Sequence, residues 1–558
     1  MSRKIPEALP GLLRRTADRF PSHGIGHIRP GQPLRFQTYP QLLEHATALL
    51  AGFQKKGISR GDKVILSLEN SGEIIPVLWA CFLGGIIPAL LQPPVSFTDH
   101  NPAAEKAGKV FRLLGDPWVI LSHRHFGSWM KSGISSGHLI DISGVELDAG
   151  PPTQFDIDSG NLALIQFSSG STGDPKGVML THDNIRWNIE DIVRGIRLLP
   201  DDISVNWLPL YHDMGLIGFH ITPLQVGVTQ YFTEPADFVK NPALWLDALS
   251  ELKCTITACP NFGQILLNRY LVRKAQGKWD FSSIRVLFNG AEPISVPAMQ
   301  EFSRLLEPYG FQPQAMFPAY GMAEATLAVT FGPLGSGAHA VPFQREALLG
   351  ANLAIPAGPS EPHPVWLVDL GQPLSLNEIR VVDERQHPVE ENHVGHIQVK
   401  GRNVTGGYFN NPGETALTLS GGWLRTGDMG FIHKGNLFVT GRMKDIIFVN
   451  GINLYAHDLE QMALQIEGLS PGKIVISGCF SEQEGKDQVI VFLVTAGNDP
   501  GMDLCRKIRR HFQTTLGLFI DTFVLIRSTD IPRTSSGKIQ RHKLVNRFLI
   551  GEFRIVRL

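Results

Sequence analysis

The chain has 558 residues, 43% of them hydrophobic and 18% charged, with 57 Gly and 38 Pro. At ~150 residues per domain, this length predicts three or four domain-sized units with an ample core, and the apolar content excludes a disordered chain. The 51 basic and 52 acidic side chains leave a net charge of −1, which argues against a dedicated nucleic-acid binder.

Taken in chain order, the N-terminus is basic but punctuated by Pro6, Glu7 and Pro10, and it lacks an apolar signal core. Thr38 and Gln41 have capping-box spacing, and Leu42, Leu43, Ala46, Leu49, Leu50 and Phe53 recur at helical intervals. Gly57 ends that helix, and a strand is expected at 63–68. The uncharged stretch 74–94 is long enough to span a membrane on count alone. Its prolines and the Gly84-Gly85 pair predict instead a short buried helix at 77–83, a turn, and a strand at 86–91. This alternation of helix and strand is the rhythm of a parallel α/β sheet. The same pattern predicts strands at 162–167 and 177–180, then a helix opened by Thr181 with Ile185, Ile189, Ile192 and Ile196 on one face. Strands at 255–258, 285–288 and 315–317 continue it. The least structured-looking stretch is 332–364, rich in Gly, Ala and Pro. From about Gly371 short strands (378–382, 395–400, 437–440) alternate with Gly-rich turns and read as a β-rich subregion. A compact mixed segment with strands at 473–477 and 489–494 closes the chain. The five cysteines are odd in number and lack paired spacing, which reads as reduced, cytoplasmic usage.

The strongest chemical signal is Ser168-Ser169-Gly170-Ser171-Thr172-Gly173-Asp174-Pro175-Lys176-Gly177, between two expected strands. Its glycines let backbone N–H groups wrap phosphate oxygens, its hydroxyls can meet phosphate or Mg²⁺, and Lys176 adds positive charge. It is not a Walker loop, because no Gly-Lys is followed by Ser or Thr. No nucleophile elbow is present, since Thr172 stands two residues after Gly170.

This run resembles the phosphate loop of the adenylate-forming superfamily, which includes acyl-CoA synthetases, peptide-synthetase adenylation domains, luciferases and fatty acyl-AMP ligases. Further runs match that superfamily in order: Tyr320-Gly321-Met322-Ala323-Glu324, Trp423-Leu424-Arg425-Thr426-Gly427-Asp428, Gly441-Arg442-Met443-Lys444-Asp445, and Pro532-Arg533-Thr534-Ser535-Ser536-Gly537-Lys538. The resemblance spans roughly residues 10 to 545. It implies an α/β fold: a large N-terminal domain (1–441) of parallel-type α/β sheets plus a β-rich subdomain, and a small mobile α+β C-terminal domain (442–558). It implies ATP and Mg²⁺ as cofactors. Ser169, Gly170, Ser171, Thr172, Gly173, Lys176, Gly290, Ala291, Glu292, Tyr320, Gly321, Met322, Asp428, Arg442 and Lys538 are the implied nucleotide-binding positions. Thr172 and Glu324 are the implied Mg²⁺ partners, since Mg²⁺ prefers hard oxygens and few protein ligands. Lys538, Glu324, Thr172 and His212 are the implied catalytic set, and His212 alternatively forms a core pair with Asp213.

The runs 208–216 and 317–326 look most like fatty acyl-AMP ligases. The spacing from Glu324 to Gly371, 371 − 324 = 47 residues, points the same way, with an insertion at about 332–369. Such ligases carry an insertion there that restrains the small domain and disfavours CoA. The substrate is then a fatty acid and the acceptor the thiol of an acyl carrier protein on another chain, with no nucleic acid and no stable membrane insertion. Lys176 departs from the many members of that branch that lack the loop lysine. A long-chain fatty acyl-CoA synthetase and a non-catalytic nucleotide- or acyl-binding protein are the alternatives, the second arguing for loss of Lys538, Glu324 or Asp428, all of which are present.

Overall fold

A computed structural model describes residues 7–94, 97, 101–132, 134–148, 150–168, 175–274, 278–449, 452–481, 486–495, 501–520, 522–534 and 538–557. The chain is α/β. Two sheets dominate its first part. The larger has nine strands, and its six central strands run parallel: Met316–Gly321, Val286–Asn289, Ile256–Ala258, Ile203–Asn206, Thr229–Thr233 and Gly24–Ile28. Antiparallel strands close both edges. The second sheet is wholly parallel, in the order Ile87–Leu90, Lys63–Ser67, Trp118–Leu121, Leu139–Asp141. Parallel strands need crossovers, and helices supply them.

The helix Tyr39–Lys55 forms where the apolar spacing requires, and Thr38 and Gln41 close a full capping box on it. Thr181 and Asn184 do the same for His182–Gly195. The helix Ser71–Gly84 begins earlier than the sequence reading places it. Asn70 caps it by accepting from the Glu73 N–H, so Pro76 falls inside the helix and costs one backbone hydrogen bond rather than starting it. Gly85 ends this helix at φ 62°. Nearly every side chain along it is buried, as expected of a helix apolar on all faces. Among the described residues no helix is long and apolar enough to cross a membrane.

Two local expectations are corrected. Strands Leu162–Ser168 and Lys176–Thr181 are not part of a parallel sheet. They pair antiparallel with each other, because so short a connection cannot span a parallel crossover. The 332–364 stretch also holds regular structure. Strand Ala340–Phe343 pairs antiparallel with Val365–Val368, and the helix Arg345–Gly350 lies between them.

The β-rich part is an antiparallel sheet of Asn377–Val382, Gly395–Gly401, Trp423–His433, Asn436–Arg442 and the short Leu419–Ser420. Beyond it lies a C-terminal α+β domain. Its four-stranded sheet, Ile474–Ser481, Lys486–Val494, Thr522–Ile526 and Arg554–Arg557, carries its own buried clusters around Leu459, Ile476, Val491 and Phe523 on one side and Phe492 and Leu544 on the other.

Candidate active site

Open α/β sheets bind ligands beyond the carboxyl ends of their parallel strands. Three such ends converge here. Val286–Asn289 delivers Gly290, Ala291 and Glu292; Met316–Gly321 delivers Tyr320, Met322 and Glu324; Ile203–Asn206 leads to His212 and Asp213. All of these line one cavity of about 1270 Å³, together with Lys176, Gly321, Asp428, Arg442 and Lys538. The same cavity is also lined by the apolar Ile192, Ile196, Leu198, Ile256, Phe288 and Phe331.

The β-rich sheet places the next two groups by register. Asp428 and Arg442 are directly opposite on adjacent antiparallel strands. Arg442 Nε donates to Asp428 Oδ1 at 3.1 Å, and Tyr320 Oη donates to Asp428 Oδ2 at 2.8 Å. Burial and the Asp428 charge push the Tyr320 phenol well up, and the same carboxylate raises Arg442. A carboxylate has about four lone-pair sites. Two are used, which leaves acceptor capacity for a pair of vicinal hydroxyls.

Glu324 is held by its backbone and by one side-chain contact. Tyr408 Oη donates to Glu324 Oε1 at 2.9 Å, and the Thr405 N–H donates to the Glu324 carbonyl at 2.8 Å. Two residues on, Thr326 sits at φ 65° and ψ −58° and closes a tight three-residue turn in which the Leu327 N–H meets the Ala325 carbonyl at 2.8 Å. Such a turn is strained and persists only where its surroundings fix it. Asn403 does so, donating to the Ala325 carbonyl at 2.9 Å and accepting at its own carbonyl from Thr326 Oγ1 at 2.7 Å. Gly321 is required by close approach, since a Cβ there would lie 1.8 Å from the Leu327 carbonyl oxygen.

Lys538 enters from the C-terminal domain. Burial lowers its ammonium, Arg442 lowers it further, and the carboxylates of Asp213, Glu292 and Asp428 oppose that shift. The side chain therefore stands inside the cavity among groups from both sheets. Its peptide is fixed by a reciprocal pair with Thr534, the Lys538 N–H donating to Thr534 Oγ1 at 3.1 Å and the Thr534 N–H to the Lys538 carbonyl at 2.8 Å. Burial raises Glu292, although the Phe262 N–H and Lys538 oppose it. His212 lines the cavity with its Nδ1 2.6 Å from Asp213 Oδ1, so it is both cavity wall and the partner of a buried carboxylate. Burial alone would raise Asp213, but His212 and Lys538 hold it below its ordinary range.

Lys176 pairs with Glu414 and lies 5.5 Å over the Tyr408 ring. Ser169, Gly170, Ser171, Thr172 and Gly173 lie outside the described residues. The sequence reading did not include Tyr408, Asn403 and Glu414. Tyr408 and Asn403 are brought to Glu324 and its turn from about 80 residues away, and Glu414 reaches Lys176 from 238 residues away, so spacing carried no sign of them. Mg²⁺ fits the donor set, since Glu324 puts a hard carboxylate oxygen on the cavity wall and Mg²⁺ takes most of its remaining ligands from phosphate and water.

The description of AMP-binding enzymes matches residues 13–409, and that of the Disco-interacting protein 2-like AMP domain matches residues 444–557. The chain is similar to a medium-chain-fatty-acid–[acyl-carrier-protein] ligase of Moorena producens, 31% identical over 92% of this chain and 90% of that protein. It is 27% identical to a long-chain-fatty-acid–AMP ligase of Mycobacterium marinum, over 97% of each chain. A solved structure from fatty acyl-adenylate ligases of E. coli and L. pneumophila superposes with a TM-score of 0.89 at 29% identity, covering 98% of both chains.

Proposed function

We propose that this chain, which belongs to the AMP-binding enzyme family and is an ATP-dependent acid ligase forming an acyl adenylate, takes a fatty acid as substrate and passes the acyl group to the phosphopantetheine thiol of an acyl carrier protein. In the first half-reaction a carboxylate oxygen bonds to the α-phosphorus while the bond to the bridging oxygen breaks, and pyrophosphate leaves with that electron pair. Two anions must meet, so the site has to align them and neutralise charge. The Lys538 ammonium is suited to hold the carboxylate and an α-phosphate oxygen together. Asp428, steadied by Tyr320 and Arg442, is suited to accept from both ribose hydroxyls. Gly290, Ala291, Glu292 and Tyr320 wall the space for the adenine, and the Ser169–Gly173 run with Lys176 is assigned to the phosphates. Glu324 and Thr172 would hold Mg²⁺, which supplies charge neutralisation on the phosphates. The apolar part of the lining suits an acyl chain. In the second half-reaction a thiolate attacks the acyl carbon, the carbon–oxygen bond to phosphate breaks, and AMP leaves.

The choice of acceptor rests on one observation. The helix Arg345–Gly350, inside the 332–369 segment, is tied to the C-terminal domain. Arg345 makes a two-pronged ion pair with Asp458, both side chains buried, and Leu349 joins the C-terminal core beside Leu454 and Leu459. On our reading the division falls at Gly441 and Arg442, and a small domain (442–558) turns there between the two half-reactions over a few hinge residues. A tie of this kind favours the arrangement with Lys538 in the cavity. A bias of ~1.4 kcal/mol changes a population tenfold. A carrier protein offers a whole surface to offset it, and CoA only its nucleotide. The likeness to a carrier-protein ligase supports the same acceptor. Incubation with ATP, Mg²⁺ and graded fatty acids should release pyrophosphate and accumulate acyl adenylate in the presence of CoA. Rapid acyl-CoA formation would overturn the carrier assignment.

A further inference from the structure

The cavity wall carries a cation with no role in the chemistry above. Lys106 lies on the helix Pro102–Leu114 and lines the same cavity as Lys176, Glu324 and Lys538. Its Nζ donates at 3.4 Å to the carbonyl of Phe167, next to last in the strand that leads into the 169–174 segment. Burial brings this ammonium down to about 8, and among the described residues no carboxylate acts against that shift. An ammonium withdrawn from water is costly unless an anion completes it. The nearby Lys176 differs, because Glu414 already neutralises it.

We propose that Lys106 binds the β- and γ-phosphates of ATP, and so the pyrophosphate that departs from them. This rests on the adenylate-forming chemistry and not on the choice of acceptor. As the bond between the α-phosphorus and the bridging oxygen breaks, negative charge grows on the leaving group. A fixed ammonium on the cavity wall stabilises that charge, and the Phe167 carbonyl holds the side chain in place. A charge-assisted hydrogen bond of this kind contributes roughly ten- to a hundredfold in affinity.

The test is calorimetric titration of the full chain with Mg²⁺ and inorganic pyrophosphate, and separately with AMP, for the wild type, Lys106→Met and Lys106→Arg. Lys106→Met should weaken pyrophosphate binding by at least about tenfold and leave AMP binding within about twofold, and Lys106→Arg should recover most of the loss. If Lys106→Met does not fold, Lys106→Gln carries the same comparison. Unchanged pyrophosphate binding overturns the assignment, as does undetectable binding to the wild type. Equal loss of AMP and pyrophosphate makes Lys106 a prop for the strand pair and overturns it too. Binding of AMP by the wild type reports on the ligase chemistry independently.

Discussion

Glu324 is an ordinary residue in an unusual setting: a strained turn two residues on, a phenol at its side chain and a distant peptide N–H at its carbonyl. Glu324→Gln preserves shape and most of these contacts but removes the charge. It should fold with a Tm close to wild type and lose at least about a hundredfold in pyrophosphate release, in line with the removal of a charged group acting on transferring phosphates. A wild-type rate would show that Glu324 holds no metal. Lys538→Ala should cripple adenylate formation by a similar factor, yet leave transfer from supplied acyl adenylate within a fewfold of wild type. Equal loss of both half-reactions would contradict a lysine that serves only the first. At this scale Glu324, Asp428, Arg442 and Lys538 were legible as members of short ordered runs, and the structure gathers them around one cavity. Lys106, Tyr408 and Asn403 were not legible, because each reaches the site through the fold and carries no local pattern.

Arg345 and Asp458 form the contact on which the behaviour of two elements turns. Removing one partner leaves a buried charge unpaired, which costs about 3–5 kcal/mol. Arg345→Met alone should therefore lower Tm by several degrees. The double variant Arg345→Met with Asp458→Leu replaces the pair with apolar groups of similar size and should come back close to wild-type stability. The single variant loosens the tie between the helix Arg345–Gly350 and the C-terminal domain, so any weak acyl-CoA formation should rise several-fold in it and fall back in the double variant. Unchanged CoA activity in the destabilised single variant would show that the tie does not gate the acceptor. The sequence located this segment by spacing but missed its structure, since Gly, Ala and Pro mask a helix of only six residues. It also read strands 162–167 and 177–180 correctly as strands while misplacing their pairing. Local pattern reports the strand, and only the length of the connection reports its partner. The capping box at Thr38, by contrast, is complete within four residues and was fully readable, and Thr181 was readable as the opening of its helix.

Across the whole molecule, burial sets the response to acid. His27, His182, His220 and His457 are each brought down from 6.5 to about 4, with burial as the leading cause. The folded chain keeps them neutral while the unfolded chain protonates them near 6.5. Their contribution is thus fully present above pH 6.5 and is lost as pH falls toward 4, by up to ~1.4 kcal/mol per pH unit for each histidine. Thermal unfolding followed from pH 7.5 to 4.5 should show Tm falling steadily below pH 6.5; a flat profile would mean these side chains gain partners when protonated. The α/β class, the β-rich subregion and the α+β end were legible because each has its own hydrophobic period. How the C-terminal domain seats Lys538 was not, since that depends on contacts between distant segments. The fate of the acyl adenylate decides which thiol accepts the acyl group. The purified chain is given ATP, Mg²⁺ and a fatty acid of the best-accepted length. The acyl adenylate is then followed with either CoA or a phosphopantetheinylated acyl carrier protein. Acyl adenylate should accumulate with CoA and be consumed to acyl carrier with the protein. Fast acyl-CoA formation, or no acyl transfer to the carrier, would contradict the carrier protein as acceptor.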